Sequence, residues 1–238
     1  MANVHQVGNV GRAQNGEPYP FFYGYSTDGI LQNQSEADAY NTKYGKNAVP
    51  GDVRFVDYNG DGEINDDDKH NIGNGYPTWT FGLNLTAAYK DFDFSMLFSG
   101  ALGGKIADVT RRLDCRYVNL PAEFMDRWHG EGTSTTMPRF TYPNNDNNNN
   151  WTNFSDLYIH NGNYARIKNI QLGYTLPTNL TNRFFVSRLR LFVAAENLLT
   201  LTSYKGLDPE LANDALPGID RGYYPQARTY TVGFNLNF

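Results

Sequence analysis

From Thr229 to Phe238 the chain alternates without a break. Tyr230, Val232, Phe234, Leu236 and Phe238 fall on one side, Thr229, Thr231, Gly233, Asn235 and Asn237 on the other. Side chains of an extended strand point to alternate faces, so this segment reads as a strand lying between two different surroundings. Two further segments repeat the pattern. Trp79, Phe81, Leu83, Leu85, Ala87 and Tyr89 oppose Thr80, Gly82, Asn84, Thr86 and Ala88. Phe92, Phe94, Met96, Phe98 and Leu102 oppose Asp91, Asp93, Ser95 and Ser99. Only Lys90 and Asp91 separate these two runs, which predicts a tight hairpin.

A fourth strand is predicted from Tyr164 to Thr175, with a bulge near Asn169-Ile170 where the alternation breaks and a stop at Leu176-Pro177. A fifth runs from Arg188 to about Leu198. Leu189, Leu191, Val193 and Ala195 face one way and Arg188, Arg190, Ala194 and Glu196 the other, with Phe192 as an apolar exception among the latter. Phe21 to Tyr25 forms a weaker sixth candidate.

Composition agrees with strands of this kind. Aromatic residues make up 15% of the 238 and charged residues only 19%, which suits two-faced strands better than helices rich in Ala, Leu, Glu and Lys. The net charge of -5 and the lack of a Lys/Arg run argue against nucleic acid. A single cysteine, Cys115, excludes an internal disulfide; it lies beside Arg116 in a loop with no histidine arrangement that would make it a nucleophile. No apolar run reaches the length of a transmembrane helix, but a barrel strand needs only about 9–11 residues. Met1-Ala2-Asn3-Val4 has neither the basic start nor the apolar run of a signal peptide, so an exported protein would carry its leader elsewhere.

The connections alternate in length. Those over residues 26–78, 104–163 and 200–227 are long; the hairpin turn and residues 177–187 are shorter. Outer-membrane barrels have short turns on the periplasmic side and long loops outside. A compact soluble domain would rarely carry three such loops. The longest includes Asn144-Asn145-Asp146-Asn147-Asn148-Asn149-Asn150, read as a solvated loop tip because so polar a run buries little apolar surface.

An ordered set of segments resembles the end of a SusC/RagA-type TonB-dependent outer-membrane transporter. It begins with Phe22-Tyr23-Gly24-Tyr25, Thr27-Asp28-Gly29-Ile30, Glu36-Ala37-Asp38-Ala39-Tyr40 and Pro50-Gly51-Asp52-Val53-Arg54-Phe55. It continues through Asp57-Tyr58-Asn59-Gly60-Asp61-Gly62, Ile72-Gly73-Asn74, Tyr164-Ala165-Arg166-Ile167-Lys168-Asn169 and Gly173-Tyr174-Thr175-Leu176-Pro177. Ala195-Glu196-Asn197-Leu198, Gly206-Leu207-Asp208-Pro209, Tyr224-Pro225-Gln226-Ala227-Arg228-Thr229 and a terminal aromatic, Phe238, complete it.

The resemblance implies an all-β fold: residues 1–238 as the C-terminal antiparallel strands, about six, of a 22-stranded transmembrane β-barrel with long extracellular loops. Those loops are 27–77, 104–163 and 200–226. The family's N-terminal plug and TonB-contact motif have no counterpart in this sequence. The implied function is import of oligosaccharides or peptides across the outer membrane of a Gram-negative, Bacteroidetes-like cell. The implied partners are a SusD-like surface lipoprotein, TonB through the missing N-terminal part, the cargo and outer-membrane lipid.

Two local features suggest chemistry. Residues 57–68 follow D-x-N-x-D-G and end in Asp. Asp57, Asn59 and Asp61 would offer side-chain oxygens to Ca²⁺, Glu63 its backbone carbonyl and Asp68 the closing carboxylate, while Gly62 would permit the sharp turn. Such a site would be structural; the plainer alternative is an acidic Gly-rich turn without metal. Trp128, Tyr142, Trp151 and Tyr158 lie among polar residues in the second long loop, where they would stack on a ligand or pack loop against loop.

His5, His70, His129 and His160 have no ligand spacing. No catalytic constellation is present, so an enzyme is not expected. The competing reading is a soluble β-sandwich carbohydrate-binding module with a calcium-stabilised loop. There the apolar faces of 79–89, 92–102 and 230–238 would pack against one another instead of facing lipid.

Overall fold

A computed structural model describes residues 5–7, 10–110, 122–141, 146–210 and 217–238. The chain divides into two compact units. One comprises Met1–Gly75, Lys105–His160 and Asn213–Arg221; the other comprises Tyr76–Gly104, Asn161–Ala212 and Gly222–Phe238.

The first unit contains β1 (His5–Val7), β2 (Gly11–Ala13), β3 (Phe21–Gly24), β4 (Thr27–Ile30), helix α1 (Gln34–Tyr44), β5 (Val53–Phe55) and β6 (His70–Gly73). The second contains the long strands β7 (Trp79–Tyr89) and β8 (Phe92–Leu102). Next along the chain are β9 (Lys105–Asp108), in the first unit, and β10 (Ile159–Asn161), at the boundary; β11 (Tyr164–Thr175) and β12 (Arg188–Thr202) belong to the second unit, β13 (Ile219–Asp220) to the first and β14 (Thr229–Asn237) to the second. No helix is long and apolar enough to cross a membrane among the described residues, which says nothing of a β-barrel.

The second unit is an antiparallel sheet of five strands in the order β14-β12-β11-β8-β7. Directly paired residues share a face, so the alternation within each strand becomes rows across the sheet. Leu85, Met96, Ile170, Ala195 and Tyr230 form one row; Ala87, Phe94, Leu172, Val193 and Val232 form the next. On the opposite face Thr86, Ser95, Gln171, Ala194 and Thr231 are in register.

The two-residue turn is present, with Lys90 at φ 54, the sign that matches the right-handed twist of the flanking strands. The register shift in β11 falls between Ile167 and Asn169, so Lys168 is the bulged residue, one position before the predicted place. β12 continues to Thr202, past Asn197 at φ 51. The strand directions put the short connections at one end of the sheet and the long ones at the other, as the loop lengths predicted.

Phe21–Tyr25 does not join this sheet. β3 pairs with β2 and β6 in a separate four-stranded sheet of the first unit, so five strands and not six form the large sheet.

The first unit has its own core of Tyr25, Ile30, Leu31, Ala37, Tyr40, Ala48, Val53, Phe55 and Ile64. Helix α1 supplies Ala37 and Tyr40. Its start is set by Asn33, whose side chain accepts from Glu36 N, and its end by Gly45 at φ 60. The long connections are therefore folded around a core and not merely solvated.

The asparagine run corrects the expectation of a solvated tip. Of its described part, Asp146, Asn148 and Asn150 are buried. β5 pairs with β4 along one edge. On the other, Asn150 Oδ1 accepts from Val53 N at 2.8 Å and Asn148 Nδ2 donates to Val53 O at 2.8 Å. A side-chain amide carries the same donor and acceptor as a peptide group, so these two residues complete β5 as a neighbouring strand would. Asp146 accepts from Asn150 N and Trp151 N and fixes the run in place. The buried Asp52 carboxylate is met by Arg139 Nε at 2.6 Å, Asn150 Nδ2 at 2.8 Å and Val49 N at 2.9 Å.

Candidate functional site

Two features carry functional meaning: the two faces of the large sheet in the second unit, and the acidic loop of the first.

The apolar face of the sheet lies open. Trp79 is 71% exposed, Leu83 53%, Val193 50%, Val232 83% and Phe234 66%. These residues belong to one sheet in one register and so cannot be the two halves of a sandwich core. Leaving so many large apolar groups in water would be unfavourable by about 25 cal/mol for each Å² of their surface. A hydrocarbon environment removes that penalty, and the aromatic Trp79 and Tyr89 stand at the two ends of the strand, as in interfacial girdles.

The polar face is built around small residues that admit large ones. Arg190 of β12 reaches across Gly173 of β11 to Asp93 of β8, with Nε to Oδ1 at 2.8 Å and Nη2 to Oδ2 at 2.5 Å. A Cβ on Gly173 would lie 2.4 Å from Arg190 Nη2 and 2.4 Å from Asp93 Oδ1. Phe192, the apolar exception, pairs with Gly233 and covers it; a Cβ there would meet its ring at 2.5 Å. On the other face Phe81 covers Gly100 in the same way.

A second polar cluster joins motifs far apart in the chain. Arg166 is 3% exposed; it donates to Asp208 Oδ1 at 2.5 Å, Glu210 Oε2 at 2.9 Å and Thr200 Oγ1 at 2.8 Å. Lys168, freed by the bulge, also pairs with Glu210. Sequence reasoning used both segments only as family markers and missed their pairing. The available signal was two cations in one strand and two carboxylates spaced by Pro209 in a loop.

The loop of residues 57–68 is drawn together by its own acceptors. Asp57 accepts from Gly60 N at 2.7 Å and Gly62 N at 3.0 Å. Asn59 accepts from Asp61 N, and Asp61 from Glu63 N, both at 2.9 Å. Asp68 is fully buried and closes the loop, accepting from Tyr58 N at 2.8 Å, Asn59 N at 3.3 Å and Asn65 N at 2.8 Å. Ile64 anchors the loop in the core, and Gly60 and Gly62 hold φ of 78 and 88. The oxygen donors suit a hard cation in type and order. Among the described residues, however, no three His, Cys, Asp or Glu side chains gather into a metal-holding group. Asp66, within this loop, is hydrogen-bonded by Lys69 and by Tyr25 Oη, and both hold its carboxyl below the usual range.

Of the four aromatic residues singled out in the second long loop, two lie in the interior and one at its edge. Trp151 and Tyr158 are buried; Trp151 stacks on Phe124 with centroids 5.1 Å apart, and Tyr158 Oη donates to Trp151 O at 2.6 Å. Trp128 is half-buried against the core and lies over Gly51, where a Cβ would meet its ring at 2.4 Å. Tyr142 lies outside the described residues.

Comparison with known proteins agrees with this architecture. No family model matches the chain. It is 32% identical over 234 residues to TonB-dependent receptor P3 of Formosa agariphila, covering 94% of this chain and 23% of the relative. It is 30% identical over 208 residues to TonB-dependent receptor SusC of Bacteroides thetaiotaomicron, covering 84% of this chain and 19% of the relative. Among solved structures, the RagAB peptide importer in its "open-open" state superposes with a TM-score of 0.71 at 23% identity, over 99% of this chain and 24% of that one. The "closed-closed" state gives 0.72 at 23% identity, over 99% of this chain and 25% of that one. These structural matches speak for the fold. The chain spans less than a quarter of the length of the curated relatives it matches. Sequence and fold together place it among the SusC/RagA-type TonB-dependent receptors, as a segment bearing antiparallel β-barrel strands.

Proposed function

We propose that this chain is the C-terminal part of an outer-membrane importer that takes up oligosaccharides or peptides. The energy would come through TonB, and a SusD-like lipoprotein would help to capture the cargo. The observation that carries the reading is the uncovered apolar face of the five-stranded sheet, backed by a polar, charge-paired face. That combination suits a wall between lipid and a polar interior. The named relatives support receptor function, and the likeness to the RagAB peptide importer favours peptide among the cargo classes.

The test is fractionation of cells expressing the receptor that carries this segment. Extraction from the outer membrane only with detergent, heat-modifiable migration, co-purification of a surface lipoprotein and loss of peptide or glycan uptake on deletion are the expected results. A water-soluble monomeric receptor would overturn the reading.

The loop of residues 57–68 is proposed to bind one structural Ca²⁺ through Asp57, Asn59, Asp61 and Asp68 with the Glu63 carbonyl. Its order of donors and its two left-handed glycines support this. Calorimetry on the chelator-treated receptor should show binding near one ion per chain; absence of heat with added Ca²⁺ would refute it.

A further inference from the structure

The polypeptide leaves the sheet unit after Ala212 and rejoins it at Gly222. The outgoing arm carries Asp208 and Glu210; the returning arm carries Gln226 and Ala227. One carboxylate touches both arms. Asp208 Oδ1 accepts from Glu210 N at 2.9 Å, and its Oδ2 accepts from Gln226 N at 2.9 Å. Asp208 is itself buried and oriented by Arg166, whose Nε is held by Thr200. Arg166 also takes Glu210, and Lys168 takes Glu210 from the bulge. The returning arm has a second tie, from Asn197 Nδ2 to Ala227 O at 3.0 Å.

A buried ion pair adds little net stability compared with apolar packing, because desolvation offsets attraction. Its value lies in direction, and the guanidinium fork and the two carboxylate oxygens are both directional. We infer that Asp208 is a positioning residue for the neck of this loop. Through Arg166, its single carboxylate fixes the outgoing and returning arms side by side on the polar face of β11. The segment between them therefore starts from and returns to a defined place in the receptor. The inference rests on the importer reading only for the setting in which the loop works; the clamp is measured independently of uptake.

The experiment is hydrogen exchange resolved to single amides on the full receptor in detergent. Asp208→Ala should speed exchange at Glu210 and Gln226 roughly ten- to hundredfold, as expected for amides that lose a charged acceptor, while β11 and β12 amides keep their protection. Asp208→Asn keeps one acceptor oxygen, so one of the two amides should stay protected. Arg166→Lys keeps the charge without the fork and should loosen both partly. Unchanged exchange at both amides in Asp208→Ala would overturn the inference. So would equal loosening of the whole sheet, which would make Asp208 a general stability residue. Loss of uptake with an intact clamp, or the reverse, separates this inference from the importer reading.

Discussion

Replacing Gly173 by alanine adds one methyl group at the centre of the sheet, and its effect should change sign with its neighbour. In the native protein that methyl carbon would sit 2.4 Å from Arg190 Nη2, 2.6 Å from Arg190 Nε and 2.4 Å from Asp93 Oδ1. Real carbons do not approach so closely, so the guanidinium must leave its bidentate seat or β11 must shift. The Arg190–Asp93 pair is partly exposed on its Asp93 side, and solvent screening limits its worth to about 1 kcal/mol or less. Overpacking adds about 1–3 kcal/mol. Against these, alanine gains roughly 0.5–1 kcal/mol over glycine within a strand. Gly173→Ala should therefore destabilise the native barrel by about 1–3 kcal/mol. With Arg190→Ala already in place the ion pair is gone and Asp93, released from the guanidinium, can swing its carboxylate aside, so both unfavourable terms largely vanish. The same change should then stabilise by roughly 0.5–1 kcal/mol. Urea titration of the purified receptor in detergent, read by the heat-modifiable gel shift, measures all four members of the cycle. An equal, same-sign effect in both backgrounds would show that Gly173 is there for some reason other than the passage of Arg190.

Asp68→Ala should leave three amides without their buried acceptor and speed exchange at Tyr58, Asn59 and Asn65 on the order of a hundredfold; any added protection from Ca²⁺ at those amides should also disappear. Asn150→Ala removes the partners of Val53 N, Asn148 Nδ2 and Asp52 Oδ1, and should destabilise the first unit by about 2–4 kcal/mol, seen as protease sensitivity near residues 146–160 while the barrel still shifts on gels. Lys69 and Tyr25 lower the Asp66 carboxyl, so its contribution is complete above the unfolded value of about 3.9 and is lost as pH falls through the lowered folded value; in wild type, stabilisation from this residue should fade only below about pH 4, and Lys69→Met should reduce that acid dependence in a pH-jump exchange experiment.

Much of the sheet was legible because its code is local. A strand between lipid and a polar interior must alternate residue by residue, and the runs at 79–89, 92–102, 164–175 and 229–237 did so strongly enough to define strands, hairpin and both faces. The turn of the acidic loop was legible for the same reason, since Asp57, Asn59 and Asp61 bond amides two to five residues away. What the sequence could not reveal were pairings across long separations. Asn148 and Asn150 look like solvated residues until Val53, about ninety-five residues earlier, supplies the strand edge they complete. Phe21–Tyr25 has strand character, but only the fold decides which sheet receives it. Arg166 and Asp208 are each unremarkable along the chain; juxtaposition and burial turn them into a clamp. Residue pattern by itself determined the barrel-strand character and the two solvents of the sheet, because periodicity expresses the surroundings of each side chain. Tertiary structure alone decided which polar groups are interior, because a buried polar group is tolerated only where distant residues meet its hydrogen-bonding needs.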